Sequence, residues 1–273
     1  MTEYIRQHGT TIEFSAGDSW VILNPIEKRI KEKIEKIGKP LKEWDISINY
    51  GIKTGCNEAF IIDRAKRDEL IAKDEKSAEI IRPILRGRDI ERYKTNFAEL
   101  YIINTHNGIP AKNIPPVDIK EYPAVKKHLD TYWQKIKNRD DQGVTPYNLR
   151  SCAYMDDFSK QKIMYSEIVQ EPQFYFDKIG KFFPEATTFI MTGKNLEYLT
   201  DILNSRIAAY FFKTFYAGGG LGETVYRYKK IFLENLPVPP ATKLDKGDIE
   251  GSICTLYGLT AEEMKSISSI LSP

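Results

Sequence analysis

The feature that most constrains the fold lies between Lys162 and Gly193, where the runs KIMYSEIV, QFYF and ATTFIMTG are rich in aromatic and β-branched residues. Turn formers separate them, so they read as a small antiparallel sheet. Helical patterns stand on both sides of this block, and the expected class is α+β, with small mixed or antiparallel sheets packed by helices. The sequence is long enough for one large domain or two modest ones, and 41% hydrophobic residues can fill a sizeable core.

Upstream, Trp20-Val-Ile-Leu23 reads as a buried strand, followed by Asn24 as a helix cap and Pro25 in the first turn. Ile26, Ile30, Ile34 and Ile37 then repeat at helical spacing until Gly38 and Pro40 end the helix. Tyr50 to Gly55 is a glycine-bracketed turn, and Ala59-Phe-Ile-Ile-Asp63 suits a buried strand. Pro123 opens a second helix with Val125, Leu129, Trp133 and Ile136 on one face and Lys126, Lys127, Lys135, Lys137 and Arg139 over the rest. A long helix capped by Asn195 carries the stripe Leu196, Leu199, Leu203, Ile207 and Tyr210 until Gly218, Gly219 and Gly220 break it into a loop. Leu236-Pro-Val-Pro-Pro240 is expected to continue neither sheet nor helix, because proline removes donors and fixes φ. A helical tail follows: Ile249, Ile253 and Leu256 form one stripe ended by Gly258, and Thr260 with Glu263 forms a capping box for a last helix. The expected division is 1–45 as connecting strand and amphipathic helix, 46–240 as the main domain, and 241–273 as the tail.

Charge narrows the function. The 40 Lys and Arg nearly balance 38 Asp and Glu, and a net charge of +2 excludes a protein that coats nucleic acid by charge alone. Positive charge for such a partner must be local. Cys56, Cys152 and Cys254 lie far apart without a CxxC pair, which fits reduced thiols and a cytoplasmic location. No run of 18 apolar residues is present in the sequence, and the expectation is a soluble, intracellular protein.

Several catalytic signatures can be tested directly. A DNA amino-methyltransferase needs an [DN]PP[YF] loop, whereas Asn113-Ile-Pro-Pro116 has an intruding isoleucine and no aromatic. Asp118-Ile-Lys120 fits the second half of a PD…(D/E)xK nuclease, but no Pro-Asp dipeptide exists to supply the first. His8, His106 and His128 stand singly, with no second histidine at metal-ligand spacing. No catalytic residue and no metal ligand is assigned. The loop Gly218-Gly-Gly-Leu-Gly222 could approach an anion, yet it follows a helix rather than a strand and lacks a Gly-Lys-Ser/Thr ending, which leaves a mobile surface loop as the alternative.

Two local features suit nucleic acid. Arg82, Arg86, Arg88, Arg92 and Lys94 fall within one short segment, and Arg227-Tyr-Lys-Lys230 makes a second basic focus. Guanidinium groups bond bidentately to phosphate or guanine, although Asp89 and Glu91 could simply pair with these arginines on a solvated face. The stretch Arg139 to Arg150 is dense in Arg, Asp, Gln and Asn, the residue types that match base edges. It could equally be a polar loop satisfying its own backbone.

At these residues the sequence resembles the TaqI-like C-terminal specificity domain, the target recognition domain of type IIG restriction-modification enzymes and DNA adenine-N6 methyltransferases. The resemblance rests on Gly51-Ile-Lys-Thr-Gly-Cys-Asn-Glu-Ala-Phe-Ile-Ile-Asp63, Arg82-Pro-Ile-Leu-Arg-Gly-Arg-Asp-Ile-Glu-Arg-Tyr93 and the segment around Tyr122-Pro-Ala-Val125. It continues through Tyr147-Asn-Leu-Arg-Ser-Cys-Ala-Tyr154, Lys162-Ile-Met-Tyr-Ser-Glu-Ile168, Asn195-Leu-Glu-Tyr-Leu, Leu203-Asn-Ser205 and Leu236-Pro-Val-Pro239. It implies a domain that grips double-stranded DNA beside a methyltransferase domain or subunit, which binds S-adenosylmethionine and flips the target base. A nuclease using Mg²⁺ can accompany that domain. This chain is then expected to be a C-terminal fragment of a larger polypeptide or a separate specificity subunit. Backbone contacts are expected at Lys53, Arg86, Arg88, Lys229 and Lys230, on turns or beside glycines, and base reading at Gln142, Asn148 and Arg150. Two other readings stay open: a stand-alone metal-dependent nuclease using Asp118 and Lys120, and a protein-docking module without DNA contact.

Overall fold

A computed structural model describes residues 23–216 and 226–271. It divides the chain into two compact units, one of residues 45–169 and 173–200, the other of residues up to 44, 170–172 and 201 onward. The larger unit contains β2 (Ile46–Tyr50), β3 (Ile61–Asp63), α2 (Arg64–Lys73), β4 (Ile81–Leu85), β5 (Leu100–Ile103) and α3 (Pro123–Asp130). It continues with β6 (Lys162–Ser166), β7 (Phe174–Asp177), β8 (Phe183–Pro184) and β9 (Thr188–Gly193). The smaller unit is built from α1 (Pro25–Ile37), β1 (Lys39–Pro40), α5 (Arg206–Phe215), β10 (Pro237–Val238), α6 (Ile249–Tyr257) and α7 (Ala261–Leu271). The helix α4 (Leu196–Leu203) runs through the junction at residue 200.

The aromatic block forms the expected sheet. Its order is β7-β6-β9-β2, antiparallel throughout, with β2 arriving from far upstream to close one edge. Register places Tyr50, Phe189, Tyr165 and Phe174 directly opposite one another across the four strands. Directly opposed residues share a face, and the rings form a row with centroids 4.7, 5.4 and 5.1 Å apart. Phe174, Tyr165 and Phe189 are buried, while Tyr50 at the end of the row is 52% exposed. A mixed sheet of order β8-β4-β5-β3 stands beside it, and the β8–β4 pair is parallel. Its core residues Ile62, Ile84, Ile102 and Ile103 join Val125, Leu129 and Ile136 from the helical segment after Pro123.

Lys162 and Asp177 face each other across β6 and β7 as a buried ion pair of 2.7 Å. Asp177 also accepts the backbone N–H groups of Lys181 and Phe182, so its charge organises the turn after β7. Burial pulls the Lys162 ammonium below its ordinary pKa, against the attraction of Asp177.

In the smaller unit, Asn24 and Glu27 form a reciprocal capping box at the start of α1, with Pro25 in the first turn and Ile30 and Ile34 buried. Gly258 ends α6 in the left-handed region, at φ 63°. Thr260 and Glu263 exchange backbone bonds at the start of α7, as their spacing predicts. Helix α5 packs on α6 and α7, which also meet α1. By its contacts, the described part of residues 201–240 (201–216 and 226–240) groups with the tail helices.

Four local expectations need correction. The run from Ala59 is not all strand, because residues 57–60 make a helical turn and only Ile61–Asp63 pair with β5. The helix from Pro123 stops at Asp130 and resumes at Trp133, which leaves Trp133 38% exposed instead of on the buried face. The long helix from Leu196 is interrupted at Asn204-Ser205, where Ser205 caps a new helix by accepting the Ala208 N–H. Pro237-Val238 does pair, with Lys39-Pro40. The two prolines face each other, so the ladder loses little by their missing donors, and Leu41 N–H bonds to Leu236 O beside them. Residues 20–22 of the expected strand Trp20–Leu23, and the glycine loop at 218–222, lie outside the described residues.

Candidate functional site

Three irregular segments of the larger unit carry most of the expected contact residues, and specific bonds tie them together. The turn after β2 presses Gly51 onto Glu185, where an added Cβ would stand 2.0 Å from the Glu185 carbonyl oxygen. Only glycine allows that approach. The turn Arg86–Asp89 docks on the same stretch: Gly87 N–H donates to Thr187 Oγ1 at 3.0 Å. Glu185 accepts both the N–H and hydroxyl of Thr187, which fixes that platform.

The third segment, residues 139–150, is held by Arg139. The side chain of this residue, expected on a basic outer surface, is instead buried at 5% exposure. Its guanidinium lies 4.5 Å from the Phe60 ring centre and donates to the carbonyls of Thr54, Asp141, Pro146 and Asn148. One cation therefore staples the recognition-type loop to itself and to the turn that carries Lys53. Burial lowers the Arg139 pKa to about 10, which still leaves it charged at neutral pH.

The result is an open groove of about 350 Å³ between residues 50–53 and 150–154. Lys53 and Arg150 both line it. Lys53 is exposed and has no ion pair among the described residues. Arg150 is 63% exposed and only loosely paired, its Nη1 lying 3.3 Å from Asp141. Gln142 is also exposed, on a bridge that pairs it with Leu149. Arg88 projects into solvent, without an ion pair among the described residues.

The other expected contact residues stand differently. The Arg86 guanidinium forms a bidentate pair with Asp89 at 2.9 and 2.7 Å and is 23% exposed, so it braces its own turn. Asn148 is buried at 2% exposure. Its amide donates to Val117 O at 2.9 Å and its oxygen accepts from Thr145 at 2.6 Å, leaving nothing to offer a base. Lys229 and Lys230 lie in the smaller unit: Lys229 is exposed, and Lys230 faces Glu234 at 3.6 Å. Glu91 pairs with Lys94, and Lys126 and Lys135 pair with Asp130 and Glu58, so much of the basic clustering is neutralised locally.

Asp118, the carboxylate of the nuclease alternative, accepts the Lys120 N–H and caps a helical turn at 119–121. His106 accepts the Gly108 N–H through Nδ1, and burial holds its pKa below the usual imidazole value. Tyr50, at the groove's edge, was not singled out from the sequence. An aromatic directly before Gly51 at a strand end was the available signal. Nothing local distinguished Arg139 from its basic neighbours.

Residues 82–238 match the TaqI-like C-terminal specificity domain, more than half of the chain, and the chain belongs to that family. It is a specificity domain of the kind found in restriction-modification enzymes. Over 276 aligned residues it is 21% identical to the type II methyltransferase M.PaeR7I of Pseudomonas aeruginosa, covering 93% of this chain and 45% of that protein. In fold, 85% of the chain matches 32% of the type IIL restriction-modification enzyme MmeI, whose structure is in complex with DNA, with TM-score 0.53 and 13% identity. The type IIG restriction endonuclease BpuSI matches over 91% of this chain and 32% of its own, with TM-score 0.51 and 14% identity. The chain thus spans less than half the length of the curated relative and about a third of each structural neighbour. No helix of the described residues is long and apolar enough to cross a membrane.

Proposed function

We propose that this chain reads a double-stranded DNA site and directs the methyltransferase region of a larger restriction-modification enzyme to it. The observation that carries the reading is the Arg139 staple: it fixes two segments so that Lys53 and Arg150 stand exposed over one groove. Cations presented from such a fixed backbone can contact phosphate or guanine at the cost of ordering only their own side chains. Lys53, Arg88, Lys229 and Lys230 are assigned to backbone contact, and Gln142 and Arg150 to base edges. Arg86 and Asn148 are assigned to holding the turns in shape, because their polar groups are already used internally.

The catalytic partner would bind S-adenosylmethionine and modify adenine at N6, and an accompanying nuclease would use Mg²⁺. None of that chemistry is assigned to residues of this chain. With a net charge of +2, the isolated chain supplies few phosphate contacts, and its affinity for duplex DNA is expected at ~10⁻⁴ to 10⁻⁶ M. The test is the methylation pattern of a methylation-free bacterial host expressing the parent gene intact, with this segment deleted, and with it exchanged for a relative's. A discrete N6-methyladenine motif should vanish on deletion and change on exchange. An unchanged motif refutes the proposal.

A further inference from the structure

Tyr50 ends a row of four rings whose other three members are buried, and its own ring packs on Phe189 at 4.7 Å with 52% of the residue open. A ring braced in this way is a rigid platform. Its hydroxyl has no hydrogen-bond partner among the described residues. The ring borders the groove, and Lys53, Arg150 and Tyr154 line it as well. Burial raises the Tyr154 pKa, against a hydrogen bond from the Tyr50 backbone that lowers it. An aromatic platform with adjacent cations is the chemistry that binds a single-stranded nucleotide, by stacking its base and pairing its phosphate. The volume of about 350 Å³ sits at the small end of the range for ligand pockets, enough for one nucleotide rather than a duplex.

We propose that this groove receives one unstacked nucleotide of the bound DNA, its base laid on Tyr50 within reach of Arg150 and its phosphate held by Lys53. The proposal rests on the DNA reading above and adds an extrahelical ligand to it. Unstacking a base costs a few kcal/mol in a perfect duplex and much less where the base is already unpaired. An unpaired nucleotide should therefore expose the site.

The test measures binding of the full 273-residue chain to three short duplexes: fully paired, with a one-nucleotide 2-aminopurine bulge, and with an abasic bulge. The base-bearing bulge should bind roughly 5- to 150-fold more tightly than the abasic one, the size of a single base-aromatic stack, with quenched 2-aminopurine emission. Tyr50→Ala should bring that ratio to near one, whereas Tyr50→Phe, which keeps the ring, should retain it. Equal affinity for the two bulges, or a ratio indifferent to Tyr50→Ala, overturns the inference while duplex binding still supports the DNA reading. Competition by free 2-aminopurine deoxynucleotide as strong as that by the bulged duplex would also overturn it, by moving the site to free nucleotides. Absence of binding to every duplex overturns both.

Discussion

Replacing Arg139 with methionine tests the staple most directly. Methionine keeps apolar contact with Phe60 and removes all four hydrogen bonds. The acceptors at Asp141 and Pro146 are only partly buried and can turn to water, but those at Thr54 and Asn148 are buried with the guanidinium. Each orphaned buried carbonyl costs about 1–3 kcal/mol, so the loss is roughly 2–6 kcal/mol before compensation. Part is recovered because the variant no longer desolvates a cation, a burden visible in the lowered pKa and in the unpaired Nε. A net destabilisation of about 2–4 kcal/mol follows, which lowers Tm by roughly 5–15 °C in a domain of this size. Thermal unfolding followed by circular dichroism measures it. Arg139→Lys should fall between, because an ammonium cannot serve four carbonyls in one plane. If Arg139→Met melts within 1 °C of the parent, the loop is held by something else and the staple argument fails.

The remaining predictions concern contact, packing and pH. Lys53→Ala should reduce the slope of log affinity against log salt by about 1, whereas Arg150→Ala should relax one position of the recognised site; if Arg150→Ala leaves both affinity and site choice unchanged, its contact role is refuted. Asn148→Ala should cost about 1–3 kcal/mol in unfolding experiments while the recognised site stays the same, and a changed site would return Asn148 to base reading. Burial alone would raise the Glu263 carboxyl, but bonds from Lys33 and the Thr260 backbone outweigh it and hold the pKa below its ordinary 4.5. Such a group adds stability above its unfolded pKa and loses it as pH falls through the folded value. Tm should therefore drop more steeply below about pH 4.5 in the parent than in Glu263→Gln, and parallel curves would show that Glu263 contributes nothing.

The sequence determined what depends on near neighbours. Asn24 with Glu27, and Thr260 with Glu263, are capping pairs three residues apart, and their bonds form wherever the helix does. The strands of the aromatic block and the end of α6 at Gly258 were legible for the same reason: alternation, turn chemistry and the left-handed region are local properties. The ordered combination of motifs carried the family. Tertiary structure decided the fate of the polar residues. Arg139 and Asn148 have the composition of a contact surface, yet each is buried against carbonyls that belong to distant segments: Thr54 lies 85 residues from Arg139, and Val117 lies 31 from Asn148. Tyr50 shows the reverse, an aromatic on an edge strand left 52% exposed, whereas Phe174 on the opposite edge strand is fully buried, so what covers each ring is set by the assembled fold. A buried polar group must find its acceptors, and where those acceptors stand is a property of the assembled chain rather than of any window along it.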